Sequence, residues 1–150
     1  MNKVIYMKHV NALMVMALLI STCSAVFVPT ENDMKWLNSV TSNGQILVSD
    51  MNLISSAATN SDFAKTKTYS EYLKSDTETA LKESEKYIVS TEIQNTKDYY
   101  ETALRKFFSA ASSVIEGIDT SDVSKLQNGI TELQEGVRYL NLATKELPSM

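Results

Sequence analysis

Hydrophobic residues return every three to four positions along most of this chain, most cleanly near its end. Val123, Leu126, Ile130, Leu133, Val137, Leu140, Thr144 and Leu147 alternate at spacings of three and four, with Lys125, Gln127, Glu132, Gln134, Glu135 and Arg138 between them. That is one apolar seam on a helix, close to a heptad pattern. Asp119, Thr120 and Ser121 precede it and offer side-chain oxygens to its free N–H groups. Leu37, Val40, Gly44, Leu47, Met51, Ile54 and Ala58 repeat the alternation earlier on. Thr30, with Asp33 three residues on, fits a cap at the start of this helix. Asn43-Gly44 predicts a kink or an intervening turn there, since glycine costs about 1 kcal/mol in a helix.

A third segment carries Ile93, Thr96, Tyr100, Ala103, Phe107, Ala110, Val114 and Gly117, widened by Leu104, Phe108, Ala111 and Ile115. Gly117 marks its expected end, with a turn from Ile118 to Ser121. The second segment, 61 to 89, is thinner. Phe63, Tyr69, Leu73, Ala80, Leu81, Tyr87 and Ile88 line one side, interrupted by Thr66, Thr77 and Ser84. Pairs at i, i+3 and i, i+4 support it: Asp62–Lys65, Glu71–Lys74, Glu78–Lys82 and Glu83–Lys86, with Glu101–Arg105 doing the same in the third. Thr91-Glu92-Ile93-Gln94 resembles a capping box and places a boundary near Ser90-Thr91. One continuous helix over 61–116 is the competing reading, since no Gly or Pro marks that break.

No proline lies between Pro29 and Pro148, so nothing in that stretch forces a helix to break. Four helices of about 25 residues, each near 38 Å long by the rise per residue, predict an all-α fold. Short connections suggest an antiparallel up-down four-helix bundle over 29–150. No single helix here would be stable in water, so packing of the seams must hold it together.

Residues 1–28 follow a different pattern. Lys3, Lys8 and the amino terminus make a basic start, and Val10 to Val28 (VNALMVMALLISTCSAVFV) holds no charge. No acidic residue precedes Glu31. An apolar run prefers lipid to water, and lysines before it hold the start on the cytoplasmic side. Three fates fit. Cys23-Ser24-Ala25 places small residues for signal-peptidase cleavage after Ala25. The stretch 10–28 would span roughly 28 Å as a helix, close to a hydrocarbon core of about 30 Å, so it also fits an uncleaved anchor. Ile20-Ser21-Thr22-Cys23 resembles a lipobox, although Thr22 departs from the small residue that usually precedes the cysteine. Cys23 is then the lipidation candidate, and one lipid chain alone anchors only marginally. A buried helix of a cytosolic protein is the plain alternative.

Composition then narrows the chemistry. The 150 residues include one cysteine and one histidine, Cys23 and His9, both before Ala25. An internal disulfide, a zinc site and a Glu-x-x-His di-metal bundle site have no residues to build them, and no cofactor is expected. No G-x-S-x-G turn and no glycine-rich phosphate loop occurs. Loss of residues 1–25 would remove two basic and no acidic residues, taking the net charge from −4 to −6. Scattered basic residues outnumbered by acidic ones do not make a nucleic-acid groove. The carboxylates Glu83 and Glu85 point apart on a helix, and Asp119 and Asp122 suit a helix start. Tyrosines at 69, 72, 87, 99, 100 and 139, with Trp36, are either a recognition patch or rings packed beside the seam with their hydroxyls wet. Tyr99 and Tyr100 sit about 100° apart on a helix, so only one can face the core; the other meets a neighbouring helix or a partner.

The stretch Asp98–Leu147 combines three marks: Tyr-Tyr-x-x-Ala-Leu at its start, the small run Ala110-Ala111-Ser112-Ser113, and a closing Tyr-Leu-Asn-Leu-Ala-Thr. In these it resembles small exported helical proteins of methanogenic archaea. The resemblance covers about a third of the chain. It implies an envelope location and a helical build, and carries over no functional residues.

The sequence thus leads to a non-enzymatic, exported or membrane-tethered bundle outside the cytoplasm, meeting an envelope protein or a second copy of itself. Membrane attachment would run through 10–28 or lipidated Cys23, and no nucleic acid is involved. A sensor-like bundle binding a small molecule is the alternative. Thr66, Thr77 and Ser84 would then line a polar pocket between helices, with Tyr99 and Tyr100 as further contacts for a ligand or partner.

Overall fold

A computed structural model describes residues 27–148. Helices α1 (Glu31–Thr59), α2 (Phe63–Glu85), α3 (Thr91–Thr120) and α4 (Val123–Glu146) pack against one another, and the described residues form no strand. Of the segment expected to be a signal or anchor, only Phe27 and Val28 fall within the described residues; Cys23 lies outside them. No helix among the described residues is long and apolar enough to cross a membrane.

The packing runs chiefly between neighbours in sequence: α1 with α2, α2 with α3, and most extensively α3 with α4. Contacts between elements fix which ends meet. Trp36 near the start of α1 reaches Ser84 at the end of α2. Lys67 near the start of α2 pairs with Asp119 at the end of α3 at 2.5 Å, and Lys106 of α3 with Glu135 of α4 at 2.5 Å.

The first helix begins as expected. Thr30 Oγ1 accepts from the Asp33 N–H at 3.2 Å, and Asp33 Oδ2 accepts from the Thr30 N–H at 2.8 Å, a reciprocal capping box. It then runs unbroken through Gly44, where a kink or turn was expected. A Cβ at Gly44 would meet nothing within 4 Å. The propensity cost of one glycine is small beside the packing of Trp36, Val40, Leu47, Met51 and Ala57.

The boundary between the second and third segments is real, so the single helix over 61–116 does not form. However, α2 stops at Glu85, four residues earlier than the pattern suggested. Residues 86–90 turn the chain, with Val89 buried and Ile88 exposed. Ser90 precedes α3 but makes no side-chain cap. Instead its N–H donates to Asp33 Oδ1 of α1 at 2.8 Å, tying the turn to the first helix.

Correction is largest on α2. Its buried residues are Thr66, Ser70, Leu73, Thr77, Ala80 and Ser84, spaced alternately by four and three. Of the line expected to face inward, Leu73 and Ala80 are buried and Leu81 and Tyr87 pack against the core, but Phe63 and Ile88 are exposed. Hydroxyl residues fill this stripe because a helix can satisfy them internally. Thr66 Oγ1 donates to the Asp62 carbonyl at 2.8 Å, Ser70 Oγ to Thr66 at 2.8 Å and Thr77 Oγ1 to Leu73 at 2.7 Å.

The α3 pattern survives almost intact, with Ile93, Thr96, Tyr100, Ala103, Leu104, Phe107, Ala110, Ala111 and Gly117 buried. The helix continues past Gly117 to Thr120, and Ser121 takes the left-handed conformation (φ 54°) that ends it. Asp122, rather than Asp119, Thr120 or Ser121, caps α4, accepting from the N–H of Ser124 at 2.8 Å. Of the expected α4 seam, Val137 and Leu140 are buried and Leu133 and Leu147 pack against the core, but Val123 is exposed and Gly129, Gly136 and Ala143 join the buried face. Two glycines explain this broadening. A Cβ on Gly136 would lie 2.5 Å from Phe107 Cε1, and one on Gly129 would lie 2.7 Å from Val114 Cγ2. The α4 backbone therefore approaches α3 more closely than any side chain would allow, and Phe107 occupies the space.

Candidate functional site

Polar side chains buried between helices are the natural place to look for chemistry, because each must be satisfied or carry a cost. Two such places stand out among the described residues. The larger lies where the start of α1, the end of α2 and the start of α3 meet. The Trp36 indole N–H donates to Ser84 Oγ at 2.9 Å, and Ser84 Oγ donates to Glu101 Oε1 at 2.9 Å. Glu101 is flanked on its own helix by Lys97 at 3.7 Å and Arg105 at 3.6 Å. Arg105 reaches on to Glu85 of α2 at 3.3 Å, and Lys97 donates to the Tyr87 carbonyl in the α2–α3 turn. The result is a chain of hydrogen bonds from an indole, through a hydroxyl, to a carboxylate with a cation on either side.

Tyr100 closes this cluster from α3. Its ring meets Trp36 edge-on, with centroids 5.9 Å apart and planes at 85°. The hydroxyl is buried without a partner, and burial pushes the phenol far above its usual range, with the Glu101 charge adding to the effect. Tyr99, one residue back, is half-buried against Tyr139 of α4, centroids 6.3 Å apart. So the adjacent tyrosines divide as their 100° separation requires: one into the core, one onto a neighbouring helix.

Asp33 anchors the same end. Burial alone would raise its carboxyl, but the N–H groups of Ser90 and Thr30 outweigh that and hold it below the ordinary range. The second place is about two-thirds of the way along α1 and past the midpoint of α2. Asp50 is 6% exposed, its Oδ2 has no partner, and the half-buried Asp76 of α2 faces it. Burial, then the hydrogen bond and charge of Asp76, push the Asp50 carboxyl up to about 6.

The candidate residues from the sequence are thus dispersed. Ser84 and Tyr100 join one cluster. Thr66 and Thr77 lie further along α2, their hydroxyls turned to carbonyls of their own helix. Tyr99 faces α4. Lys97, Asp50 and Asp76 were missed by the sequence reading. For Asp50 a signal existed: Trp36, Val40, Leu47, Asp50 and Ala57 share one helical stripe, and an acid in such a stripe marks a buried charge. Among the described residues, no three His, Cys, Asp or Glu side chains form a group that could hold a metal. The Trp36–Ser84–Glu101 chain can orient and lock helices, with Lys97 and Arg105 paired to Glu101 on its own helix. No family model matches this chain, and neither a curated protein nor a solved structure matches it.

Proposed function

We propose that this chain is a non-enzymatic helical bundle of antiparallel up-down order, exported or tethered to the membrane, that acts by protein contact at the outer face of the cell envelope. The observation that carries the reading is the junction at Pro29. A basic start and an uncharged stretch over 10–28 lead, without a spacer, into the capped first turn of α1. A charge-free run of this length after two lysines partitions into lipid and orients its start inward. A bundle attached directly behind it is then delivered to the far side. The contacting protein is either an envelope protein or a second copy of the chain.

Intact-mass measurement on soluble and membrane fractions of the source cells tests this. A mass starting at Val26 in the exported soluble fraction supports secretion. Lipid added at Cys23, or full length in the membrane, supports tethering. Full-length chain in the cytosol overturns the reading. For the exported or tethered forms, crosslinking from outside the cell should then capture a discrete protein partner or a dimer.

A further inference from the structure

We propose that the end of the bundle bearing Val28, Met34 and Ile88 rests in the interfacial layer of a lipid bilayer, with Ile88 inserted among the lipids. The inference rests on the tethered form of the reading above and assigns which surface the tether brings to the membrane.

Ile88 is 85% exposed, the highest value among the exposed large hydrophobic side chains, and Val28 follows at 77%. Ile88 lies in the turn between α2 and α3, and its neighbour Val89 is buried at 8%. Burial of Val89 fixes the turn and leaves Ile88 directed outward. The hydrogen bond from the Ser90 N–H to Asp33 Oδ1 holds that turn against the start of α1. Val28, Met34 and Ile88 therefore share one end of the molecule, and Met34 adds a third exposed apolar side chain.

What covers them follows from the chain that enters there. The apolar stretch 10–28 ends at Val28 itself, and Glu31 already begins α1. The three backbone steps from Val28 to Glu31 span at most about 11 Å. Phe27 already packs against the bundle core, so a bilayer that takes up the apolar residues before it has no room to stand away from this end. Tyr87, half-buried in the turn, and Lys86 and Lys35 beside it are residue types that favour the headgroup layer. Lys86 pairs with Glu83 and Lys35 with Glu31, so the surface offers no spare positive charge for anionic lipid. Contact is by apolar side chains, and a zwitterionic surface suffices. The opposite end also exposes Phe63 and Val123, but it lies the length of α1 away, roughly 43 Å by rise per residue.

The test uses full-length chain reconstituted into phosphatidylcholine vesicles, carrying either Ile88→p-benzoylphenylalanine or Phe63→p-benzoylphenylalanine. Both positions are exposed, and circular dichroism checks that helix content matches the parent. After flotation and irradiation, lipid adducts are expected from position 88 and lost at position 63. Vesicle-bound chain that gives no lipid adduct at 88, equal adducts at both positions, or only protein adducts at 88 overturns this inference and leaves tethering intact. Chain that does not float with the vesicles overturns both.

Discussion

The indole nitrogen of Trp36 and the hydroxyl of Ser84 lie 2.9 Å apart, joining α1 to α2 in a fully buried contact. Ser84 has both roles occupied, accepting from the indole and donating to Glu101. Its removal leaves a buried N–H with no acceptor and a carboxylate short of one donor. Ser84→Ala is expected to destabilise the fold by about 1–3 kcal/mol. Trp36→Phe with Ser84→Ala should cost less than the two single changes added together, because the double variant leaves no indole donor unpaired. Urea unfolding followed by circular dichroism measures all three variants, and strict additivity would deny the contact its role.

Glycines on α4 and α1 should respond to alanine in opposite directions. Gly136→Ala would place a methyl 2.5 Å from Phe107 Cε1, where α4 packs on α3. Phe107 is fully buried and has nowhere to go, so a loss of about 1–3 kcal/mol is expected. Gly44 has open space and sits within a continuous helix. Gly44→Ala should gain about 0.5–1 kcal/mol by removing backbone freedom from the unfolded chain. Thermal melts of the two variants against the parent check the signs, and a gain at 136 would contradict the close approach of α3 and α4.

The buried stripe of α2 makes a third expectation. Thr77 is 1% exposed, and its hydroxyl bonds only to carbonyls of its own helix, those of Leu73 and Lys74. Those carbonyls retain their helical N–H partners without it. Thr77→Val keeps the branched shape and should shift stability by less than about 1 kcal/mol. Thr77→Leu adds volume between α1 and α3 and should cost about 1–3 kcal/mol. Denaturant midpoints separate the two, and a large loss from the valine variant would mean that the hydroxyl has a partner beyond its own helix.

How much of this was readable from the chain depends on which physical signal each element used. The four helices follow from spacing, and the Thr30–Asp33 cap from its motif, but the end of α2 and the caps of α3 and α4 do not. The α3 face is legible because large apolar residues mark it. The α2 face is not, because periodicity scores threonine and serine as polar while a helix satisfies them internally. The α4 seam is legible in Val137 and Leu140 but not in Gly129 and Gly136, which carry no apolar side chain and yet let α4 approach Val114 and Phe107 of α3 closely. Cross-helix pairs such as Asp33 with Ser90 and Asp50 with Asp76 depend on register between helices. Spacing along one helix carries no information about that register.

Two buried aspartates on α1 should pull the pH dependence of stability in opposite directions. Asp33 has a lowered carboxyl, so its contribution is present above the ordinary value of 3.8 and is lost as pH falls through its native value. Asp50 is raised to about 6 from 3.8. Between those values the folded chain holds a proton that the unfolded chain has released. Stability therefore falls as pH rises across that window, and the penalty persists above it. The parent is expected to gain stability from strong acid to about pH 4, then to lose part of it towards pH 6. Asp50→Asn removes the second limb. Its amide can donate to Asp76 in place of two carboxylates facing each other, and stability at pH 7 should rise by about 1–2 kcal/mol. Asp33→Asn should lose stability at pH 7, because a neutral amide oxygen accepts the Ser90 and Thr30 N–H groups more weakly than a carboxylate does. Urea midpoints from pH 3 to pH 8 for the three proteins decide the matter. A parent curve flat from pH 4 to 6, or an Asp50→Asn variant less stable than the parent at pH 7, would show that Asp50 and Asp76 do not share the buried position between α1 and α2.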